Sequence, residues 1–402
     1  MSVLIAISII VIKKDKPVNQ NFETSQEQKI TEMTTIVEDT TLVKPTDSAK
    51  ADLLESIVDE TGIKYNAMGI QVATVVDGKV HATAQYGWAE ENERPITSNT
   101  KIRVASLSKT TLSLVVFRLI EDGLLELDTD VSQYLGFSVK SPSYPNIPIT
   151  LRQLLAHSSG LANASYVHSF EQLKDHLQKS SSYTKYKPGT HYEYNNFAYG
   201  IIGTICERVT GKSVTTLLNE YFLIPMGISA SYFPCFLNAD EIAVLYDENH
   251  NVTSGVKSQQ NLVKYAETAG AGFELYAGGL TISAKDYAKL LTILINDGMY
   301  NGVRYLSTRS IELIHSVQST RENDKVCQGM PVITRYDFYG GKKLQYHTGS
   351  AFGVYSLYVY DRATKTGVVI VTTGARQGKD TYGIYSVCSE IASRVYEENV
   401  FE

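Results

Sequence analysis

The sequence predicts an α/β chain of the α+β type: an antiparallel sheet formed by its N- and C-terminal parts and flanked by helices, with a mostly helical subdomain inserted between them. Three observations predict it. Two alternating apolar runs, Gly69 to Val75 and Lys79 to Tyr86, meet around Val76-Asp77-Gly78, a strong hairpin signal. Four more strand-like runs come late, at Pro331–Tyr339, Leu344–His347, Val354–Tyr360 and Val368–Thr373. Between the two groups, strand signals thin out and helical runs appear at Ile149–His157, Phe197–Val209 and Val214–Tyr221.

The bulk composition supports a folded globular chain. It has 402 residues, 43% of them hydrophobic and 20% charged, which is ample for a core. The net charge is −6 and no long basic run occurs, so nucleic-acid binding has no electrostatic support. The four cysteines (Cys206, Cys235, Cys327, Cys388) are far apart and form neither a zinc pattern nor a disulfide framework. Eight scattered histidines contain no H-E-x-x-H, so no metal and no cofactor is expected.

In chain order, residues 1–12 carry an apolar run, Val3 to Ile12, too short to span a bilayer. It reads as the remnant or end of a membrane anchor or export signal. Residues 13–50 are rich in Lys, Glu, Thr and Gln and read as a tether that cannot bury enough surface to fold. A single catalytic unit is expected over 51–402, with 51–127 and 278–402 forming the α/β part and 128–277 the helical part. Leu53, Leu54, Ile57 and Val58 mark its first helix, ended by Gly62. After Gly278-Gly279 the spacing predicts helices over 284–297 and 308–317, and a last one over about 381–399.

The stretch Ile102 to Ile120 stands at the centre of this arrangement. A short extended run, Ile102 to Ala105, delivers Ser106. An amphipathic helix follows, with Leu112, Val115, Val116 and Leu119 on one face and Gly123 as its stop. Ser106 and Lys109 lie three apart, on one side of a first turn. A hydroxyl beside an amine at a helix start is the minimum equipment for an activated serine nucleophile, provided the amine is buried enough to lose its proton. Taken alone, the stretch fits a helix cap with Lys109 in solvent equally well. Ser-x-x-Lys recurs at Ser182–Lys185 and Ser254–Lys257, but in polar, loop-like surroundings.

Such a serine needs a second proton-handling group, donors for an oxyanion, and a substrate clamp. Two later stretches offer them. In Pro188–Gly200, Tyr194-x-Asn196 precedes an apolar helix. A phenol in a cationic pocket would have its pKa lowered, and Asn196 can donate to a carbonyl; a packed core tyrosine is the plainer reading of Tyr194 alone. In Tyr346–Gly353, His347-Thr348-Gly349-Ser350 enters a strand. An edge strand there would give a backbone N–H to the oxyanion and a polar group to a substrate carboxylate. Ser158-Ser159 before Gly160 reads as a helix C-terminus instead.

Ser106-Leu107-Ser108-Lys109, Tyr194-Asn195-Asn196 and His347-Thr348-Gly349, in that order, resemble the penicillin-recognising serine hydrolases. That group includes class C β-lactamases, D-Ala-D-Ala peptidases, D-aminopeptidases and related esterases. The runs Ile149–Leu161 and Ala277-Gly278-Gly279-Leu280 are similar to flanking segments of the same group, and the likeness covers about Ala51 to the C-terminus. Lys365-Thr366-Gly367 is a literal copy of a common third motif, but it lies between two strand-like runs and reads as a hairpin turn with Lys365 solvated.

The resemblance implies the roles. Ser106 attacks the carbonyl, while Lys109 and Tyr194 shuttle its proton to the leaving group. Tyr194 then helps activate water, and the backbone N–H groups of Ser106 and Ser350 form the oxyanion hole. Asn196 holds the acyl-side amide; His347 and Thr348, with Gly349, border the leaving side. A histidine at position 347 carries less charge near neutral pH than the lysine of other members. The expected activity is therefore a penicillin-binding D-Ala-D-Ala carboxypeptidase or other D-amino-acid peptidase, acting on a small peptide. A class C-like β-lactamase or an esterase is the alternative, with a β-lactam or ester as substrate. A penicillin sensor that acylates without turnover is the reading of another class. The expected location is extracytoplasmic, secreted or membrane-anchored at a bacterial-type cell envelope.

Overall fold

Both faces of the central sheet are buried, and the strand sequences explain why. The run Thr366–Thr373 reads TGVVIVTT and is buried along its whole length. Val369 and Val371 join one apolar cluster, while Val368 and Ile370 join the cluster on the opposite face. Such a strand is β-branched and apolar on both sides because neither side meets water. Burying each such side chain contributes roughly 1.5–3 kcal/mol.

The computed structural model describes residues 48–401, apart from 267 and 399. The expected apolar segment 1–12 and most of the tether 13–50 lie outside the described residues; Ser48–Lys50 already belong to the first helix. That helix, α1, spans Ser48–Lys64 and leads into β1 (Gly69–Val76), β2 (Lys79–Glu90) and β3 (Arg94–Pro95). The β1–β2 turn has Asp77 at φ 49° and Gly78 at φ 70°, the left-handed pair that a two-residue hairpin requires. Helix α2 covers Ser108–Glu121, α3 Leu151–Leu155, α4 Asn196–Thr210 and α5 Ala284–Ile295. The remaining sheet strands are β4 (Ser319–Arg321), β5 (Val326–Gln328), β6 (Ile333–Phe338), β7 (Lys342–Ala351), β8 (Val354–Asp361) and β9 (Thr366–Thr373). Helix α6 (Ser386–Glu397) ends the fold.

These form one nine-stranded antiparallel sheet in the order β4-β5-β6-β7-β8-β9-β1-β2-β3. The N-terminal hairpin thus adds to the C-terminal strands through β1 against β9, from Gly69↔Thr373 to Val75↔Gly367. Helices α1 and α6 cover one face, through Ile57 and Val58 and through Val387, Ile391 and Val395. Helices α2 and α5 pack with the cluster on the other face. Among the described residues, no helix is long and apolar enough to cross a membrane.

Several expectations change in detail. Strands β4 and β5 were not expected; both are three residues long, and β5 pairs with β6 while β4 pairs with β5. The last helix starts at Ser386 rather than near 381, because Gly383 adopts φ 77° just before it. Strand β7 is not an edge over its first half: it pairs with β6 up to Tyr346, and only from His347 onward does that side lack a partner strand. Lys365 is exposed in the β8–β9 turn at φ 55°, away from the serine.

Helix α2 departs most from its expected amphipathic character. Besides Leu112, Val115, Val116 and Leu119, its polar residues Ser108, Lys109, Thr110, Thr111 and Ser113 are buried. Buried polar groups need partners, and tyrosines from distant segments supply them. Thr110 Oγ1 lies 2.9 Å from Tyr358 OH, and Thr111 Oγ1 lies 2.8 Å from Tyr232 OH. Tyr232 OH also donates to Ser108 O at 2.8 Å, and Tyr287 OH to Leu107 O at 2.8 Å. Part of the chain's large tyrosine content is used here, to hold a polar helix inside the protein.

Candidate active site

Ser106 sits on a tight turn held from three sides. Ile102-Arg103 pairs with Thr281-Ile282, and Val104 N–H donates to Leu280 O at 2.9 Å. Ser356 Oγ, on β8, donates to Val104 O at 2.8 Å. The extended run expected up to Ala105 stops early: Val104 has φ −95° and ψ 12°, and Ala105 has φ 47°. A left-handed alanine is strained by roughly 1–3 kcal/mol, and it persists because the surrounding contacts fix it. Residues Ala105–Leu107 form a 3₁₀ turn that runs into α2, so Ser106 precedes the α-helix proper.

Two groups reach the Ser106 hydroxyl. Lys109 Nζ lies 3.0 Å from Ser106 Oγ, and Tyr194 OH donates to the same oxygen at 2.7 Å. Lys109 also donates to Ala277 O at 2.6 Å. It is 0% exposed and has no carboxylate partner among the described residues, so burial holds its pKa well below the ordinary lysine value. An uncharged amine with one N–H committed to Ala277 can turn its lone pair to the serine O–H. That is the arrangement of a general base.

Tyr194 corrects the expectation of a lowered phenol pKa. No charged amine stands beside it, and the protein packed around its hydroxyl pushes the pKa above its ordinary value, against the smaller opposite pull of Ser106. Its ring keeps 39% exposure toward the cleft. The phenol is therefore a proton donor in the resting site, and Lys109 is the group able to accept.

The strand expected to carry the third motif does approach the serine. A Cβ on Gly349 would stand 2.7 Å from Val104 O and 2.9 Å from Ser106 N, so only glycine lets β7 come this close. Ser350 follows on the unpaired half of β7 and is exposed. His347 is 3% exposed, and its Nδ1–H donates to Thr348 O at 2.8 Å, which leaves Nε2 with a lone pair. Burial pulls its pKa down to about 3, so the ring is neutral throughout the physiological range. Thr348 is half-buried beside it.

Asn196 is the first residue of α4; its backbone N–H donates to Asn163 Oδ1 at 3.1 Å, and its side-chain amide makes no hydrogen bond among the described residues. The middle asparagine, Asn195, is structural: its Oδ1 caps α4 at Ala198 N (2.9 Å), and its Nδ2 donates to Leu161 O at 2.7 Å. The flanking runs also find places. Ala277-Gly278-Gly279-Leu280 supplies the carbonyl that holds Lys109 and the pairing partner of Val104. Ser158 and Ser159 are buried away from solvent, and Ser158 O accepts from Gly189 N–H at 2.7 Å.

Two residues near this cluster were not foreseen. His157 packs its ring against Tyr194, with centroids 4.5 Å apart. Arg321 on β4 stacks its guanidinium over Tyr192 at 4.1 Å and has no ion-pair partner among the described residues. The first lay in a run read as a helix end, the second in a stretch with no strand signal.

Gly349→Ala tests the close approach of β7. The account expects loss of activity by at least about a hundredfold, the scale of losing an oxyanion donor, in a protein that still melts cooperatively. Near-normal turnover would separate β7 from the serine.

Comparison with known proteins agrees with this geometry. The model of the Beta-lactamase family matches residues 54–386. Protein flp of Staphylococcus aureus (strain MRSA252) is 27% identical over 189 residues, 45% of this chain and 38% of that protein. The match thus spans well under half the length of that curated relative. The octameric penicillin-binding protein homologue from Pyrococcus abyssi superposes with a TM-score of 0.69 at 22% identity, covering 87% of this chain and 77% of that one. D-amino acid amidase from Ochrobactrum anthropi SV3 superposes with a TM-score of 0.66 at 19% identity, covering 87% and 98%. At such identities the superpositions speak for a common fold, a mixed helix and sheet architecture around a large antiparallel sheet. Together with the family match over most of its length, they establish that the chain belongs to the Beta-lactamase family.

Proposed function

We propose that the chain is a serine hydrolase working through an acyl-enzyme on Ser106, and that its substrate is a small D-amino-acid peptide of the D-Ala-D-Ala type. The observation that carries the proposal is the convergence of a fully buried Lys109 amine and the Tyr194 phenol on one hydroxyl, at 3.0 and 2.7 Å. Lys109 takes the proton of Ser106 as its oxygen attacks the carbonyl carbon. The oxyanion forms against the N–H groups of Ser106 and Ser350. The first N–H groups of a helical turn have no acceptor within it, which makes the Ser106 turn suited to this.

Tyr194 donates its proton to the departing amine as the C–N bond breaks, and recovers one from Lys109. Water then enters against the ester, with the same pair handling its proton in reverse. Asn196, whose amide is uncommitted, holds the acyl-side amide group.

The leaving side supports the choice of substrate. His347 offers a lone pair at Nε2 and no positive charge, so it accepts from a peptide N–H and gives no fixed charge to a β-lactam carboxylate. Positive charge on this wall comes from Arg321, beyond Tyr192. That placement favours a leaving group with a terminal carboxylate. We extend the proposal to location: the apolar run Val3 to Ile12 ahead of a polar stretch supports a secreted or membrane-tethered protein at the cell envelope.

Intact mass after addition of benzylpenicillin, together with turnover of D-Ala-D-Ala peptides, D-amino-acid amides, short esters and a chromogenic β-lactam, tests the reading. The expected result is a persistent adduct on Ser106 and peptide turnover, both abolished in Ser106→Ala. Tyr194→Phe should lower turnover by roughly 10²–10⁴-fold, the usual scale of acid–base assistance. Rapid return to free mass would make it a β-lactamase, ester turnover without an adduct an esterase, and an adduct with no peptide or ester turnover a sensor. Activity surviving in Ser106→Ala would overturn the site.

Arg321→Ala should raise KM for a D-alanyl-D-alanine peptide about tenfold, near 1.4 kcal/mol, and leave its C-terminal amide within about twofold. Equal effects on acid and amide would remove Arg321 from recognition.

A further inference from the structure

Tyr194 lies on the loop just before helix α4. Its ring is 39% exposed, and its hydroxyl touches only Ser106 among the described side chains. Something else must hold the phenol over the serine.

The residues on either side of Tyr194 are both tied to His157. Glu193 N–H donates to His157 O at 2.8 Å, and Asn195 N–H donates to His157 Nδ1 at 3.0 Å. Between those two bonds, the phenol ring lies on the imidazole face at 4.5 Å with a 35° tilt. The imidazole is also packed by Tyr199 at 5.2 Å and Tyr192 at 5.9 Å. One residue therefore grips the loop before, at and after the phenol.

Histidine is an odd choice for mere filling. His157 is 2% exposed, and its Nε2 has no hydrogen-bond partner among the described residues. It also occupies the left-handed region, φ 57°, where most residues are strained. An apolar side chain would fill the space without an orphaned N–H. What histidine adds is the acceptor at Nδ1. Because Nδ1 accepts from Asn195, the neutral ring must carry its proton on Nε2.

We infer that His157 is a positioning residue for the acyl-transfer reaction, which sets the Tyr194 hydroxyl against Ser106 by gripping both neighbours of the phenol through its carbonyl and its Nδ1 lone pair. The grip requires a neutral ring, since protonation at Nδ1 would replace the acceptor with a donor facing the Asn195 N–H. The surroundings keep it neutral. Burial acts first, and the Arg321 guanidinium on β4 adds a nearby positive charge; Lys109 on α2 and His347 on β7 also face it, as neutral groups, and no carboxylate among the described residues does. The inference rests on the reading of Tyr194 as the proton carrier, and the experiment below separates the failure of one from the failure of the other.

The test uses the full chain and a D-alanyl-D-alanine peptide, whose departing amine needs a proton, with kcat and KM measured in single and double variants. Two substitutions tolerate a left-handed backbone. Asn places an oxygen where Nδ1 stands; Gly places nothing there. Acid–base assistance is worth 10²–10⁴-fold, so His157→Gly should lower kcat by roughly a hundredfold with KM within about threefold. His157→Asn should restore most of the loss. In the Tyr194→Phe background, His157→Gly should cost less than about threefold more, since the phenol hydroxyl it positions is already gone.

Similar losses in the Asn and Gly variants would overturn the inference, as would an undiminished loss in the Tyr194→Phe background. Should His157→Gly fail to melt cooperatively, His157→Gln replaces it, with its oxygen one bond too far out and the same expected loss. Full peptidase activity in Ser106→Ala would instead refute the proposed active site, independently of His157.

Discussion

An amine removed from water is the constraint on which the rest of this site depends. Lys109 is the one lysine of helix α2, and it lies inside the protein with a serine oxygen and a backbone carbonyl as its hydrogen-bond partners. Charged, it would need a carboxylate or solvent; among the described residues it has neither, so burial holds its pKa well below the ordinary lysine value. The same fact has a cost. Between its lowered pKa in the fold and the unfolded value of about 10.4, an unfolded chain binds a proton on Lys109 that the folded chain does not, so this burial destabilises the fold, less and less as pH rises toward that unfolded value. The sequence places no acid there to relieve it. Stability is given up for a base that is ready beside its nucleophile.

Everything packed around α2 can be understood as support for that choice. A helix carrying Ser108, Lys109, Thr110, Thr111 and Ser113 would ordinarily turn those residues to water. Here Thr110 and Thr111 meet Tyr358 and Tyr232, Ser113 meets the backbone of Met330, Ser108 that of Ala105 and Leu280, and Lys109 that of Ala277. The sheet contributes rigidity and proximity together. Strands β7 and β8 are held by continuous pairing from Gln345↔Tyr360 to Ala351↔Val354. They reach the serine turn through a glycine and a serine, Gly349 and Ser356, residues small enough to let backbone meet backbone. The strained Ala105 is the visible consequence of closing that turn from both sides.

Much of this was legible in the sequence, for reasons that differ from part to part. The β1–β2 hairpin and the paired β8 and β9 declare themselves because each is a period-two or continuous apolar run bounded by turn residues. Ser106, Lys109 and Tyr194 stand out because their chemistry has few uses at those spacings, and the structure brings the three together. Strands β4 and β5 carry no such signal; Ser-Thr-Arg and Val-Cys-Gln become strands only through a neighbour. The direction of the Tyr194 pKa was misread because a lysine in the sequence looks like a cation, and only its depth in the fold removes the charge. His157 and Arg321 were hidden for a related reason. One sits where a helix was expected to end, the other in an unassigned stretch, and what each touches is set by residues far away in the chain.

The protonation state of Lys109 is the quantity on which the account turns, and it can be measured. Lysine side chains labelled with ¹³C at Cε, assigned by comparison with Lys109→Met, report the charge of this one amine across pH. The account predicts an uncharged Lys109 at pH 7, with the rate of Ser106 acylation falling as pH drops through the same midpoint. An amine still charged at pH 9, in a protein that acylates normally, would contradict it.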